Sequence, residues 1–222
     1  MRLIAFLAIV CLLCPLALAD RQKEIERIKN ATEVFSEVMG IPEKSIPTEL
    51  LSRAECIAIV PSMKKVGFMV GAHHGRGVVT CRDASRRWGP LSMLAISGGS
   101  FGLQIGGQAV DVIMLVMNKK GVKFLVGDKF TLGGDASVAA GPVGRATSAE
   151  TNAAMRAEIL TYSRARGLFA GVVLKGAVVR PDNDGNRDLY GREIPARTIL
   201  IEGRAPTPPE ARPLFSALAK YR

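Results

Sequence analysis

Gly98-Gly99-Ser100-Phe101-Gly102 matches the G-x-S-x-G pattern in which a hydrolase presents a nucleophilic serine on a sharp turn. That chemistry needs a strand–turn–helix setting and a base to take the hydroxyl proton. The chain has two histidines, His73 and His74, and both precede Ser100, while a strand pattern follows the serine in place of a helix. Triads occur in several chain orders, so the order alone does not decide. The missing helix makes a cryptic serine hydrolase the weakest functional reading. His73, His74 and Cys81 are metal-ligand types, but adjacent strand residues point to opposite faces and no carboxylates cluster beside them. Asp182-Asn183-Asp184-Gly185-Asn186 has its glycine too early for a calcium loop, with Glu193 out of register, and reads as an Asp-Gly turn. No Gly-Lys dipeptide occurs, which excludes a Walker-type phosphate loop. No catalytic residue, metal site or cofactor is expected.

Positive charge is the more persuasive chemistry. From Pro61 to Pro90, Lys64, Lys65, Arg76, Arg82, Arg86 and Arg87 face Asp83 alone. Lys119, Lys120 and Lys123 form a second cluster beside Val122, Phe124 and Leu125. Arg145, Arg164, Arg166 and Lys175 adjoin glycine-rich strands, where exposed backbone leaves room for a phosphate. A solvated basic face is the plain alternative for each cluster. Cations next to apolar side chains are what a peripheral lipid binder needs, at about 1 kcal/mol per Lys or Arg near an anionic surface. The candidate lipid-binding residues are Lys64, Lys65, Lys119, Lys120, Lys123, Arg145, Arg164 and Arg166.

These residues need elements to hold them. Asp20–Met39 has apolar residues at helical spacing (Ile25, Ile28, Val34, Phe35, Val38, Met39), with Gly40 as a stop and Pro42 beyond. Such a helix packs on a core or lies on a membrane surface with Arg21, Lys23, Arg27 and Lys29 toward the lipid. Pro47–Glu55 reads as a short helix. Strand patterns cover Cys56–Val60, Val66–Ala72, Gly77–Cys81, Met93–Gly106, Val110–Met117, Phe130–Gly141, Ile159–Arg164, Leu168–Arg180 and Thr198–Glu202. Lys119–Val126 fits either a helical turn or a strand. The tail opens at Thr207-Pro208 and carries a helical stripe of Leu214, Phe215, Leu218 and Tyr221. No long helix separates successive strands, so the expected fold is α+β, with a mainly antiparallel, barrel-like sheet between N- and C-terminal helices.

Between Gly98 and Gly144, 11 of 47 residues are glycine, yet the alternation of Phe101, Leu103 and Ile105 with Gly102, Gln104 and Gly106 is that of a strand. Glycine within a strand marks a bulge, a bend or a close approach. The first 19 residues have a basic start, an apolar stretch from Leu3 to Leu13 and an Ala17-Leu18-Ala19 end, the pattern of a cleaved secretory signal. Residues 20–222 then form a single domain. The residues before Cys11 and Cys14 are Val10 and Leu13, which disfavours a lipoprotein. The whole chain carries 30 basic and 20 acidic residues; removal of Arg2 with the signal leaves 29 and 20, a net +9. For an exported protein, periplasmic or secreted, the polyanions met are membrane surfaces and envelope polymers, not nucleic acid, and aromatic residues are too sparse for base stacking. Cys56 and Cys81 remain; a disulfide between them and two buried thiols are both open.

Several long segments occur in the order of a known family: IPTELLSRAECIAIVPSMKKVGFMVGAHHGRGVV, GGSFGLQIGGQAVDVIMLVMN, GGDASVAAGPVGR, YSRARGLFAGVVLKG and RDLYG. On these, the chain resembles the SYLF (Ysc84-type) lipid-binding domain across about Ile41 to Glu202. Cys56 stands where that family has glycine, Trp88-Gly89-Pro90 replaces a Trp-Ser-x-Pro arrangement, and Lys175 occupies an often acidic place. The resemblance implies a glycine-rich β domain with flanking helices and no enzymatic activity. It implies binding of acidic phospholipids through basic residues and an amphipathic N-terminal helix, with phosphoinositide and actin contacts among eukaryotic members. The alternative is an envelope scaffolding module whose basic face meets an acidic protein.

Overall fold

The structure, a computed structural model, describes residues 2–41, 43, 45–144, 154, 156–165 and 167–221, with backbone only for residues 2–18, 67–70 and 100–107. Its centre is one long antiparallel ribbon, β1 (Cys56–Arg82) with β2 (Trp88–Val116). Pairing runs from Cys56 opposite Val116, through Gly67 opposite Gly106, to Arg82 opposite Trp88, with irregularities at Val60/Met63, Gly67/Met69 and Thr80/Arg82. A strand of this length would span roughly 90 Å if straight. Instead it doubles back, and the Cα atoms of Cys56 and Cys81 lie 4.0 Å apart across a disulfide. Glycine makes the doubling possible: a Cβ on Gly77 would sit 2.2 Å from the Ile59 carbonyl oxygen. The sequence patterns at 56–60, 66–72 and 77–81 are thus one bent strand, as are those at 93–106 and 110–117.

The rest of the sheet hangs on β2. β5 (Ile159–Ala165) pairs with Asp111–Val116, and β7 (Val178–Pro181) pairs with Leu94–Ser97. β4 (Val138–Ala140) lies parallel to β5, β6 (Leu168–Gly171) antiparallel to it, and β3 (Phe130–Thr131) borders β7. The fold is α+β around a curled, mostly antiparallel half-barrel. Residues 56–60 and 112–116 are buried on both faces, which explains the unbroken runs CIAIV and VIMLV. Ile57, Ile59, Met93, Ile113 and Leu115 face helices α1 (Arg2–Met39), α2 (Thr48–Arg53) and the C-terminal segment. Ala58, Val60, Ile96, Val112 and Met114 face the opposite layer.

The two readings of the N-terminal helix separate here. Ile25, Ile28, Ala31, Val34, Phe35 and Val38 of α1 are buried in the core, so this stripe is not presented to a membrane. One open segment is decided and four others differ from their patterns. Lys119–Leu125 is a helix, α3, because the Asn118 side chain accepts the Gly121 N–H at 2.9 Å. Asp182 likewise accepts from Gly185 N and starts α4 (Asn183–Tyr190) where a turn was expected, and Gly191, at φ 69°, ends it. Ala196–Leu200 is a helix, α5, and takes the first three residues of the expected strand 198–202. The expected strand 130–141 is interrupted by a turn in which the Asp135 carboxylate accepts the Thr131 N–H at 2.8 Å. Expected strand 168–180 likewise divides into β6 and β7. The tail forms a 3-10 turn, Pro209–Ala211, then α6 (Arg212–Leu218), docked by Leu214 and Leu218.

Candidate functional site

Ser100 lies within β2, opposite Gly71, so its backbone is strand rather than an elbow leading into a helix. His73 is buried and His74 exposed, as opposite faces require. Among the described residues, no group of three His, Cys, Asp or Glu side chains is placed to hold a metal ion. Among them, too, no helix is long and apolar enough to cross a membrane.

The basic residues divide by their neighbours. Arg164 on β5 forms ion pairs with Asp111 on β2, at 2.8 Å, and with Glu37 on α1. Its charge ties the N-terminal helix to the sheet. Burial pushes the Asp111 carboxyl above its ordinary range, against a hydrogen bond from Ser62 N–H. Arg82, nearly buried, lies 4.1 Å over the Trp88 ring and donates to the carbonyls of Ala54, Arg86 and Tyr221. Lys120 pairs with Glu158 at 2.5 Å. Against the upward push of burial, hydrogen bonds from Lys120 and Ser137 hold the Glu158 carboxyl below its usual range.

Lys119 and Lys123 behave differently. One helical turn apart on α3, they are exposed and make no ion pair among the described residues. They line a groove of about 410 Å³ with Arg197 of α5. Its apolar wall is Cys81, Val122, Val126, Leu200 and Ile201, the last half exposed. The two acids on its rim are already engaged: Glu55 by Arg86 at 3.0 Å and Asp83 by Arg87 at 3.0 Å. Hydrogen bonds from the Arg87 backbone and side chain lower the Asp83 pKa. The disulfide fixes one wall by holding Cys81 against the start of β1.

Lys64 and Lys65 lie near the bend of the ribbon, beside the exposed Val66. Eight residues of strand separate Lys64 from Cys56, up to about 26 Å at 3.3 Å per residue. The structure brings Lys119 and Lys123 together in the groove, which neither Lys64 nor Lys65 lines. Arg145 and Arg166 lie outside the described residues. The sequence does not single out Arg197, which stands two places after Pro195 and just before the strand pattern at 198–202. Its helical assignment puts it across from α3.

The described residues thus form a curled, mostly antiparallel half-barrel whose surface carries a basic, apolar-walled groove. A profile of the Ysc84 family, described as a Las17-binding protein actin regulator, matches residues 97–221. The chain belongs to this family. It is 34% identical over 206 residues to the human SH3 domain-containing YSC84-like protein 1, covering 91% of this chain and 58% of that protein. The rat counterpart is 32% identical over 204 residues, covering 91% and 59%. LAS seventeen-binding protein 3 of Saccharomyces cerevisiae strain S288c is 33% identical over 207 residues, covering 92% and 44%. The chain thus spans about half the length of the curated relatives it matches. The family description speaks of Las17 binding and actin regulation, and the yeast relative's name of binding.

Proposed function

We propose that this chain is a non-enzymatic domain that binds anionic phospholipid head groups at a membrane surface. The supporting observation is the groove in which Lys119, Lys123 and Arg197, free of ion pairs among the described residues, stand over apolar Val122, Leu200 and Ile201. Cations contribute attraction to a charged surface, and the apolar wall gives a lipid somewhere to go beyond its phosphate. Lys64 and Lys65 add diffuse attraction from outside the groove. Arg164 and Lys120 are engaged within the protein and are left out of the contact.

Export to the periplasm or beyond belongs to the same proposal. A disulfide suits an oxidising compartment. Among the described side chains of α1, Glu24 is the first that is buried, and it lies beyond the cleavage point. Mass spectrometry of the protein from the envelope fraction should give Asp20 as its first residue; an intact Met1 or Arg2 terminus would overturn the cleavage.

Co-sedimentation with phosphatidylglycerol vesicles over a salt series tests the binding. Retention on anionic but not neutral vesicles, falling as salt rises, is expected. Equal retention on both, or indifference to salt, would remove the electrostatic mechanism. The names of the Las17-binding relatives favour a second reading, a scaffold that recognises an acidic protein. Pull-down from envelope extract before and after lipid removal separates the two, since a protein partner survives delipidation.

A further inference from the structure

The groove continues past α5 into a second compartment of about 450 Å³, and Val126 and Arg197 line both. The character of the lining changes there. Arg180 at the end of β7 and Arg197 face the compartment along with Asp128 and Glu193. None of these four makes an ion pair among the described residues, whereas Arg187 and Asp184, on the same wall, pair with each other at 2.9 Å. Two available cations and two available carboxylates share one hollow.

We infer that the groove discriminates among anionic head groups of equal net charge in favour of one that also carries an ammonium, as the phosphoserine head group does. The inference rests on the lipid reading above. A phosphate and carboxylate can face Arg180 and Arg197 while the ammonium meets Asp128 or Glu193. The glycerol and first acyl carbons then run toward Val122, Leu200 and Ile201 in the adjoining compartment. A head group with only anionic and hydroxyl groups leaves Asp128 and Glu193 facing negative charge, as like charges in a shared hollow repel. A multiply phosphorylated head group meets that repulsion more strongly.

Phosphatidylserine and phosphatidylglycerol each carry one net negative charge, so vesicles with equal mole fractions of either in phosphatidylcholine offer the same surface attraction. Retention is expected to be about three- to fivefold tighter on phosphatidylserine, the scale of an exposed ion pair. In the Asp128→Asn, Glu193→Gln double variant, whose replaced side chains are exposed, the preference is expected to vanish while phosphatidylglycerol binding persists. Equal retention of both lipids by the unaltered protein would overturn the inference and leave the lipid reading standing. A preference that survives in the double variant would overturn the assignment to these carboxylates. Retention of neither lipid above neutral vesicles would overturn both readings.

Discussion

Arg164 and the pair Lys119–Lys123 are all basic residues beside apolar strands or helices, yet they do opposite things. Arg164 is met by Asp111 on the neighbouring strand and by Glu37 on the N-terminal helix, so its charge is spent joining elements of the fold. Among the described residues Lys119 and Lys123 pair with no carboxylate, because Arg86 and Arg87 hold the two acids on the groove's rim. The residue type is nearly the same; the neighbours divide structural charge from charge left for a ligand.

The disulfide anchors the groove side of this comparison, and its removal is the most severe way to break it. It closes a 25-residue separation within β1 and holds Cys81 in the groove wall. Cys56→Ser with Cys81→Ser is expected to lower unfolding stability by about 3–4 kcal/mol, read from denaturant midpoints. A loss under about 1 kcal/mol would mean that the ladder hydrogen bonds and the Arg82 contacts hold the doubled ribbon without it.

Next in size is Arg164. Arg164→Met keeps the aliphatic stem and strands the partly buried Asp111, at an expected cost of about 2 kcal/mol. Vesicle retention by the folded protein should not change. Weakened binding at unchanged stability would place Arg164 on the ligand side of the comparison. Lys119→Gln with Lys123→Gln should do the reverse: about 2 kcal/mol of membrane affinity lost, roughly 30-fold, with stability altered by no more than about 0.5 kcal/mol. A double variant that melts early would show that these lysines serve the fold.

How much of this was legible in the sequence follows from the range of each interaction. CIAIV and VIMLV announce strands through composition alone, and both faces being buried accounts for their lack of alternation. The stripe Ile25–Val38 announces its helix equally well, but whether it meets protein or lipid depends on a partner layer far along the chain. The Arg164–Asp111 pair spans 53 residues and has no local signature, so Arg164 reads from sequence like any other cation near glycine. Asn118 and Asp182 show the converse. Each is a local cap that decides helix over strand or turn, and the competing apolar pattern hid its effect. Arg197 sits in a helix with no side-chain cap to announce it, beside an apolar pattern that reads as strand, so it was unreadable, and with it the groove. Lys119 and Lys123 could be singled out because four residues' spacing on a helix is a local fact.

His73 supplies the smallest and most discriminating test. It lies on the ribbon with its Nε2 buried and without a hydrogen-bond partner among the described residues. A Cβ on Gly98 would come within 2.7 Å of its ring, so this cross-strand neighbour leaves little room for adjustment. Burial first, and Lys65 second, push the imidazole below its ordinary 6.5. The unfolded chain therefore binds a proton at His73 more readily than the folded protein does. Stability from this site is fully present above about pH 6.5 and is lost as pH falls through the lower folded value. The Tm of the unaltered protein should fall more on acidification across that window than the Tm of His73→Gln. Identical losses would show that His73 does not couple protonation to folding. No histidine lines the groove, so vesicle retention should persist while the fold loosens. If acid releases the vesicles in step with the loss of Tm, and His73→Gln prevents both, the bend and the groove act as one unit and the division drawn between them fails.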